Sequence, residues 1–295
     1  MSEALASPAV LRGEAAFQQA RRRRRLGALG AGLALGLAVL VAAWISEFRP
    51  EALLAGLPRV GDYFARLAPT LHWNSLFGGV KAEGSLAYWF YRLDKWSWLI
   101  FETANMAALA TLAGTAAALP LSFLAARNLS PNTWSFQLAR RALEAVRTVP
   151  ELVYALILVW AFGVGALAGI LAIALHSAGA LGKLFAEAVE NTEMGAWDGV
   201  RASGATWAQG CRWAILPQVA PSIVSYVLLR FEINVRGASV IGFVGAGGIG
   251  EELYTVISSN YYEEISAIVL LIVLTVVLID LLSERLRHRL IGRRA

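Results

Sequence analysis

The chain has 295 residues, 57% hydrophobic and only 16% charged, with a mean hydropathy of +0.57. A soluble domain carries roughly a quarter charged residues, so this balance excludes a water-soluble globular protein and points to the bilayer. A single cysteine, Cys211, excludes an internal disulfide, three histidines offer no zinc-ligand spacing, and the net charge of +5 is distributed in a way that argues against nucleic acid.

Residues 1–25 form a basic segment ending in five consecutive arginines, Arg21 to Arg25. The next 20 residues, 26–45, carry no charge, which is enough for one transmembrane helix. A signal peptide shares the positive flank, but its apolar core runs ~7–15 residues and ends in small side chains. Here bulky Trp44, Ile45 and Phe48 follow, so 26–45 reads as an uncleaved anchor. Residues 46–96 mix charges with aromatics. Leu53, Leu57, Val60, Phe64 and Leu67 fall on one helical stripe, and Trp89, Leu93 and Trp96 repeat its spacing. Together with Trp73, Phe77, Tyr88 and Tyr91, they predict short helices lying in the membrane–water interface of a periplasmic segment.

An apolar core occupies 97–284. Residues 98–125 are long enough to span, with a kink at Pro120. The stretch 149–184 is too long for one helix and is interrupted at Gly163 and Gly165, which predicts two helices, about 150–163 and 166–184, joined by a tight turn. A polar insert, 190–217, comes next. It is followed by an apolar span over 216–244, a glycine-rich loop, a span over 265–282 and a basic tail, 285–295. The expectation is an all-α membrane protein with six transmembrane helices, which places both termini on one side. The N-terminal segment has six arginines, the 126–148 loop four, residues 183–213 three basic residues and the tail five, whereas residues 242–264 have none. Basic residues mark the cytoplasmic face, so both termini and the insert are expected there, in a multi-pass protein.

The insert carries Asp198, Gly204 and a Leu216-Pro217 step at which the next apolar run begins. Small residues at Gly199, Ala202, Gly204 and Ala205 would let another protein approach a short helix closely, and Pro217 pre-sets the backbone of a new first turn. Such a loop on a membrane protein reads as a docking element for a soluble partner; the alternative is an ordinary interhelical loop. Asp198 is expected to cap the short helix or to pair with a base on the partner. Trp207 and Trp213 are expected to pack the insert against the membrane helices.

These residues resemble the signature E-A-A-x3-G-x9-I-x-L-P of the membrane subunits of bacterial ABC importers. The frame here is Asp198-Gly199-Val200, then Gly204, then Ala214-Ile215-Leu216-Pro217, so the glycine and the Leu-Pro are in register while the acidic, alanine and isoleucine positions depart. RASGATWAQGCRWAILPQ (201–218), RFEINVRGASVIGFVGAGGIGEEL (230–253) and LAGILAIALHSAGALGKLFAEAVE (167–190) are similar to the permeases of phosphonate ABC transporters, over roughly 98–290. The resemblance implies a type I ABC importer permease fold with a cytoplasmic coupling helix in the bacterial inner membrane. It also implies a homodimer, a cytoplasmic ABC ATPase dimer and a periplasmic phosphonate-binding protein. Coupling would fall to Asp198, Gly199, Arg201, Ala202, Gly204, Ala205, Leu216 and Pro217. Related permeases carry phosphite or hypophosphite, which the motif residues do not distinguish. No G-x-x-x-x-G-K-[ST] occurs, so ATP and Mg are expected on the partner, with no cofactor or metal on this chain and no enzymatic activity of its own.

The span after Pro217 carries Arg230, Glu232, Asn234 and Arg236. Charges inside a span usually face protein or a water-filled cavity. On a helix Arg230 and Asn234 share one face, and Glu232 and Arg236 form an i, i+4 pair on the other. The second pair is expected to neutralise itself. The first is expected to face the dimer axis and offer guanidinium and amide donors to an oxyanion; the alternative for Arg230 is an ion pair with Glu102 or Glu151. Gly245, Gly247, Gly248 and Gly250 fit G-x-G-x-x-G only formally, because a helix rather than a strand precedes them. They are expected to form a tight turn at an outer gate or to admit the binding protein, with Glu251, Glu252, Glu263 and Glu264 solvated or paired with it. His176 is expected to be a packing histidine. A membrane-embedded enzyme such as a lipid phosphatase is the reading from another class, but it needs clustered catalytic groups that the sequence does not show.

Overall fold

The computed structural model describes residues 8–291; Arg293 and Arg294 of the basic tail lie outside them. All regular structure among the described residues is helical. Residues 1–64 and 65–295 form two compact units.

In the first unit, α1 (Pro8–Ile45) runs 38 residues without a break, so the five arginines and the apolar anchor lie on one helix. Its most apolar part, Ala16–Ile45, is long enough to cross a bilayer. A turn at Ser46 and Glu47, the latter with φ of 50°, leads to α2 (Pro50–Leu67), the amphipathic helix that the Leu53–Leu67 stripe predicts.

In the second unit, a short α3 (Leu86–Trp89) begins where the Ser85 hydroxyl accepts the Tyr88 amide. The chain breaks at 90–92 before α4 (Leu93–Ala125), so Trp89 and Trp96 do not share one helix as their spacing suggests. Both are nevertheless held. The Trp89 indole donates to the Glu263 carbonyl at 3.0 Å, and Trp96 is completely buried.

Next comes α5 (Thr133–Thr148), capped by the Asn132 side chain on Ser135 N, and then α6 (Glu151–Phe162). The two meet at 84° around Pro150. The six-span expectation is met with the bent α5–α6 pair as one of the crossings. At about 1.5 Å per residue, the 12-residue α6 reaches roughly 18 Å, short of a ~30 Å hydrocarbon core. Five helices are long and apolar enough to cross on their own, and a sixth crossing exists only if bent α5–α6 is counted as one.

The turn predicted at Gly163 and Gly165 is present, with φ of 86° and 144°, a region favouring glycine. After it, α7 (Ala166–Glu190) runs six residues past the expected end. It is the central helix, packed on α4, α5 and α6. Its small residues allow this. Gly179 meets the α5 backbone at Leu143 and Arg147, and a side chain on Gly114 of α4 would lie 2.9 Å from the Ala174 carbonyl oxygen.

The insert folds as α8 (Gly195–Ala202), α9 (Trp207–Gly210) and a π-helical turn (Cys211–Ile215), which continues into α10 (Leu216–Ile241). A 3-10 turn (Gly242–Val244), α11 (Ile249–Ser258) and α12 (Tyr262–Ile291) complete the described chain, α12 running through the start of the basic tail as one helix. The core is layered along the bundle. Phe123, Leu129, Phe185, Cys211, Ile215 and Val219 fill the end bearing the insert. Ala107, Ala172, Ile173, Val235 and Ile241 fill the middle, and Trp96, Ile249, Val256, Ile265 and Ile268 the opposite end.

Candidate coupling and translocation sites

The insert is a rigid bracket with one open face. Met194 just before α8 and Trp197 and Val200 on it pack against the core cluster, whereas Gly195, Ala196, Asp198, Gly199, Arg201 and Ala202 are exposed. An added methyl at Gly195, Gly199 or Gly204 would meet nothing within 4 Å, so the small-residue face is bare. Gly204, at φ +87°, ends α8 in the left-handed cap geometry, and Arg201 donates across the turn to the Ala205 carbonyl at 3.1 Å.

Asp198 does not cap this helix. It starts three residues earlier, at Gly195, and the Asp198 backbone amide already bonds to Met194 O. Its carboxylate is exposed in the first turn, where a negative charge favours the helix dipole. Trp207 performs the expected anchoring: its indole donates to Leu129 O at 2.7 Å, tying the insert to the loop between α4 and α5. Trp213 does not; it is 65% exposed, beside Arg212.

The second anchor is Trp197, which the sequence reading passed over. Its ring lies against α9 so closely that a side chain at Gly210 would come within 2.6 Å of it. A Thr206/Gln209 capping box starts α9, and the T-x-x-Q spacing was the signal that would have placed it. Leu216 and Pro217 lie at the start of α10. Proline lacks an amide for the preceding turn, and the chain widens into the π turn there. Cys211 is buried packing, as expected.

Arg230, Glu232, Asn234 and Arg236 of α10 each have a partner inside the chain. Asn234 is completely buried and donates to Thr111 Oγ1 at 2.8 Å and Ser177 Oγ at 2.9 Å. Enclosed between α4 and α7, it does not share an open face with Arg230. Arg230 donates through Nε to Ser177 Oγ at 3.0 Å, and its Nη2 lies 3.8 Å from Glu151 Oε2. Glu151 was the alternative partner weighed above. Its carboxylate lies against Gly237, where any side chain would come within 2.5 Å of it. One Arg230 nitrogen remains buried without a hydrogen bond.

The expected Glu232–Arg236 pair does not form between side chains. Glu232 pairs with Arg287 of α12 at 3.1 Å and Arg236 with Asp280 of α12 at 3.7 Å, while Arg236 Nε reaches only the Glu232 carbonyl. Both turn toward α12 because that helix brings opposite charge within reach of each.

The glycine loop serves internal close approach. Gly245, Gly247 and Gly248 have φ of 83°, 81° and 75°. Gly165 donates to Gly245 O at 2.9 Å, and Ile249 N to Thr103 Oγ1 at 2.9 Å. Gly250 packs backbone to backbone on Ser239 and Gly242, so Gly248 and Gly250 are buried within the chain rather than offered to a partner. Glu252 is also committed, to Arg92 at 3.4 Å and Lys95 at 2.6 Å. Glu263 accepts from Thr70 and Glu264 from Tyr91, each at 2.8 Å. His176 contacts the Val149 carbonyl at 3.1 Å, and Glu102 is only half-buried.

A family profile described as binding-protein-dependent transport system inner membrane component matches residues 118–295. The chain is 36% identical over 264 residues to the phosphite transport system permease protein PtxC of Stutzerimonas stutzeri, covering 90% of this chain and 89% of that one. It is 47% identical over 121 residues to a protein of Escherichia coli named as a cryptic phosphonate transport system permease, PhnE2, covering 41% of this chain and 99% of that one. Its fold is similar to the inward-facing MetNI methionine ABC transporter, with a TM-score of 0.56 at 21% identity over 65% of this chain and 94% of that one. The chain therefore belongs to the family of binding-protein-dependent transport system inner membrane components, and it is a multi-pass permease subunit with the type I importer fold.

Proposed function

We propose that this permease forms the pathway of an ATP-driven importer for phosphonates, with phosphite or hypophosphite as the alternative cargo. The bare face of α8 carries the reading. It is a short helix of small residues, clamped through Trp197 to the core and through Trp207 to the loop between α4 and α5, and open on its other side. A docking ATPase can close against that face and move the bundle as a lever, because neither end of the lever is loose. Asp198, Gly199, Arg201, Ala202, Gly204 and Ala205 form the contact, and Leu216 and Pro217 pass the motion into α10. ATP and Mg bind on the cytoplasmic ATPase dimer, a periplasmic binding protein delivers cargo, and both termini of this chain face the cytoplasm. The second permease protomer is a copy of this chain or a close paralogue.

For the pathway, Arg230 is the strongest of the residues singled out. It carries a fixed positive charge with one nitrogen unsatisfied, matched to an oxyanion. Arg236 and Glu232 hold α10 to α12, and Asn234 orients Ser177 beneath Arg230.

The test is uptake in proteoliposomes holding this chain, its ATPase and its binding protein, with phosphonate, phosphite and hypophosphite as substrates. Gly199→Trp should abolish ATP-driven uptake while the permease remains in the membrane. Arg230→Ala should cut uptake at least about tenfold, the loss of one charge-assisted hydrogen bond of ~1.5 kcal/mol or more, with ATPase binding intact. Full uptake in Gly199→Trp would refute the coupling face, and full uptake in Arg230→Ala would refute the oxyanion role.

A further inference from the structure

At the end of the bundle remote from the insert, an open cleft of about 540 Å³ lies between α3 with the residues that follow it, Arg66 and the α11–α12 turn. That volume is within the range of small-molecule sites. Its walls include Arg66, Trp89, Tyr91, Tyr262, Glu263 and Glu264, so aromatic faces surround three charges. The charges do not neutralise one another. Among the described residues neither carboxylate has a cationic partner and Arg66 has no anionic one.

Each charge is instead held in place by a neutral group. Glu263 takes the Thr70 hydroxyl at 2.8 Å, Glu264 takes the Tyr91 hydroxyl at 2.8 Å, and the Arg66 guanidinium stacks 5.7 Å above the Tyr262 ring. Burial and then the Glu264 carboxylate push the Tyr91 phenol above its usual value, which keeps it a donor to that carboxylate. An organic ammonium is attracted both by the ring faces and by the two carboxylates. A phosphate oxygen is matched by the guanidinium. A ligand carrying both charges satisfies all three groups, where a simple cation or anion satisfies one sign only.

We infer that this cleft binds a zwitterionic phosphoethanolamine group. The cleft lies where apolar α4 and α12 begin, the level at which lipid headgroups meet protein, so a phosphatidylethanolamine headgroup is one source and a soluble phosphoethanolamine the other. The site is independent of Arg230 and of the α8 face, and its failure would leave the transport reading standing.

Two arms test it. In the first, the protein is taken from nanodiscs containing equal phosphatidylethanolamine and phosphatidylglycerol, and retained lipid is measured by native mass spectrometry. One ethanolamine lipid should be retained about fivefold over the glycerol lipid, the ratio given by one part-exposed ion pair. The Glu263→Gln/Glu264→Gln protein should lose that preference, and Asp94→Asn, altering an exposed acid at the same end, should keep it. The glutamines still accept from Thr70 and Tyr91, and circular dichroism checks that helicity is unchanged. In the second arm, O-phosphoethanolamine is titrated calorimetrically into delipidated protein. Saturable heat lost in the double variant assigns the site to a soluble zwitterion, and lipid retention without that heat assigns it to the headgroup. If parent and double variant behave alike in both arms, the inference is wrong.

Discussion

Adding one methyl group at Gly250 and at Gly199 should move stability in opposite directions, although the chemical change is the same. At Gly250 the new carbon would overlap the Ser239 carbonyl oxygen and lie 2.9 Å from its carbon and 3.0 Å from Gly242 Cα. Ordinary contact between carbon and carbonyl oxygen is about 3.3–3.6 Å. All the opposing atoms are backbone, so no rotamer change relieves the overlap and α10 must separate from α11. Overpacking of this kind costs typically 1–3 kcal/mol, and an all-backbone clash belongs in the upper half, about 2–3 kcal/mol. For a unit of this size that lowers the melting temperature by roughly 4–12 °C. At Gly199 the methyl enters open space on an exposed helix, where alanine is favoured over glycine by ~0.5–1 kcal/mol. Thermal unfolding of both variants in nanodiscs, followed by tryptophan fluorescence, reads the two shifts side by side. Parent-like melting of Gly250→Ala, or a large loss from Gly199→Ala, would refute the packing argument.

The ion pair between α10 and α12 makes a second prediction. Glu232 is 5% exposed, so Arg287→Gln leaves a buried carboxylate unpaired and should cost about 3–5 kcal/mol, whereas Glu232→Gln leaves only the part-exposed Arg287 and should cost less. The double variant should recover most of the Arg287→Gln loss in a double-mutant cycle read by denaturation in detergent; recovery of nothing would mean that the pair is not coupled. Trp207→Phe keeps an aromatic ring but removes the donor to Leu129 O and part of the packing on the core, a loss of at least about 0.5–1.5 kcal/mol from the insert. Limited proteolysis within 191–215 should quicken while cleavage elsewhere stays at the parent rate.

Much of the helix inventory was legible because it rests on local physics. The apolar run of 98–125 and the stripe from Leu53 to Leu67 fix helices by length and period, and Gly163 and Gly165 mark a turn by backbone freedom. The family also emerged from short segments, because Gly204 and the Leu216-Pro217 step of the insert keep their register. The side-chain partnerships were less legible. Helical periodicity placed Glu232 beside Arg236 and Arg230 beside Asn234, but α12 brings Asp280 and Arg287 to α10, and α7 brings Ser177 between Arg230 and Asn234. Those partners lie tens of residues away, where spacing along one helix carries no information.

Composition and periodicity alone determined that this is an all-helical membrane chain with a polar bracket between its later apolar segments, because burying apolar length in lipid depends only on the chain's own order. Tertiary packing decided that α6 is too short to cross unaided, that Trp197 rather than Trp213 joins Trp207 in clamping the bracket, and that the glycine loop is closed on itself. Each of those outcomes depends on which distant backbone comes within a few ångströms, and only the folded bundle brings those surfaces together.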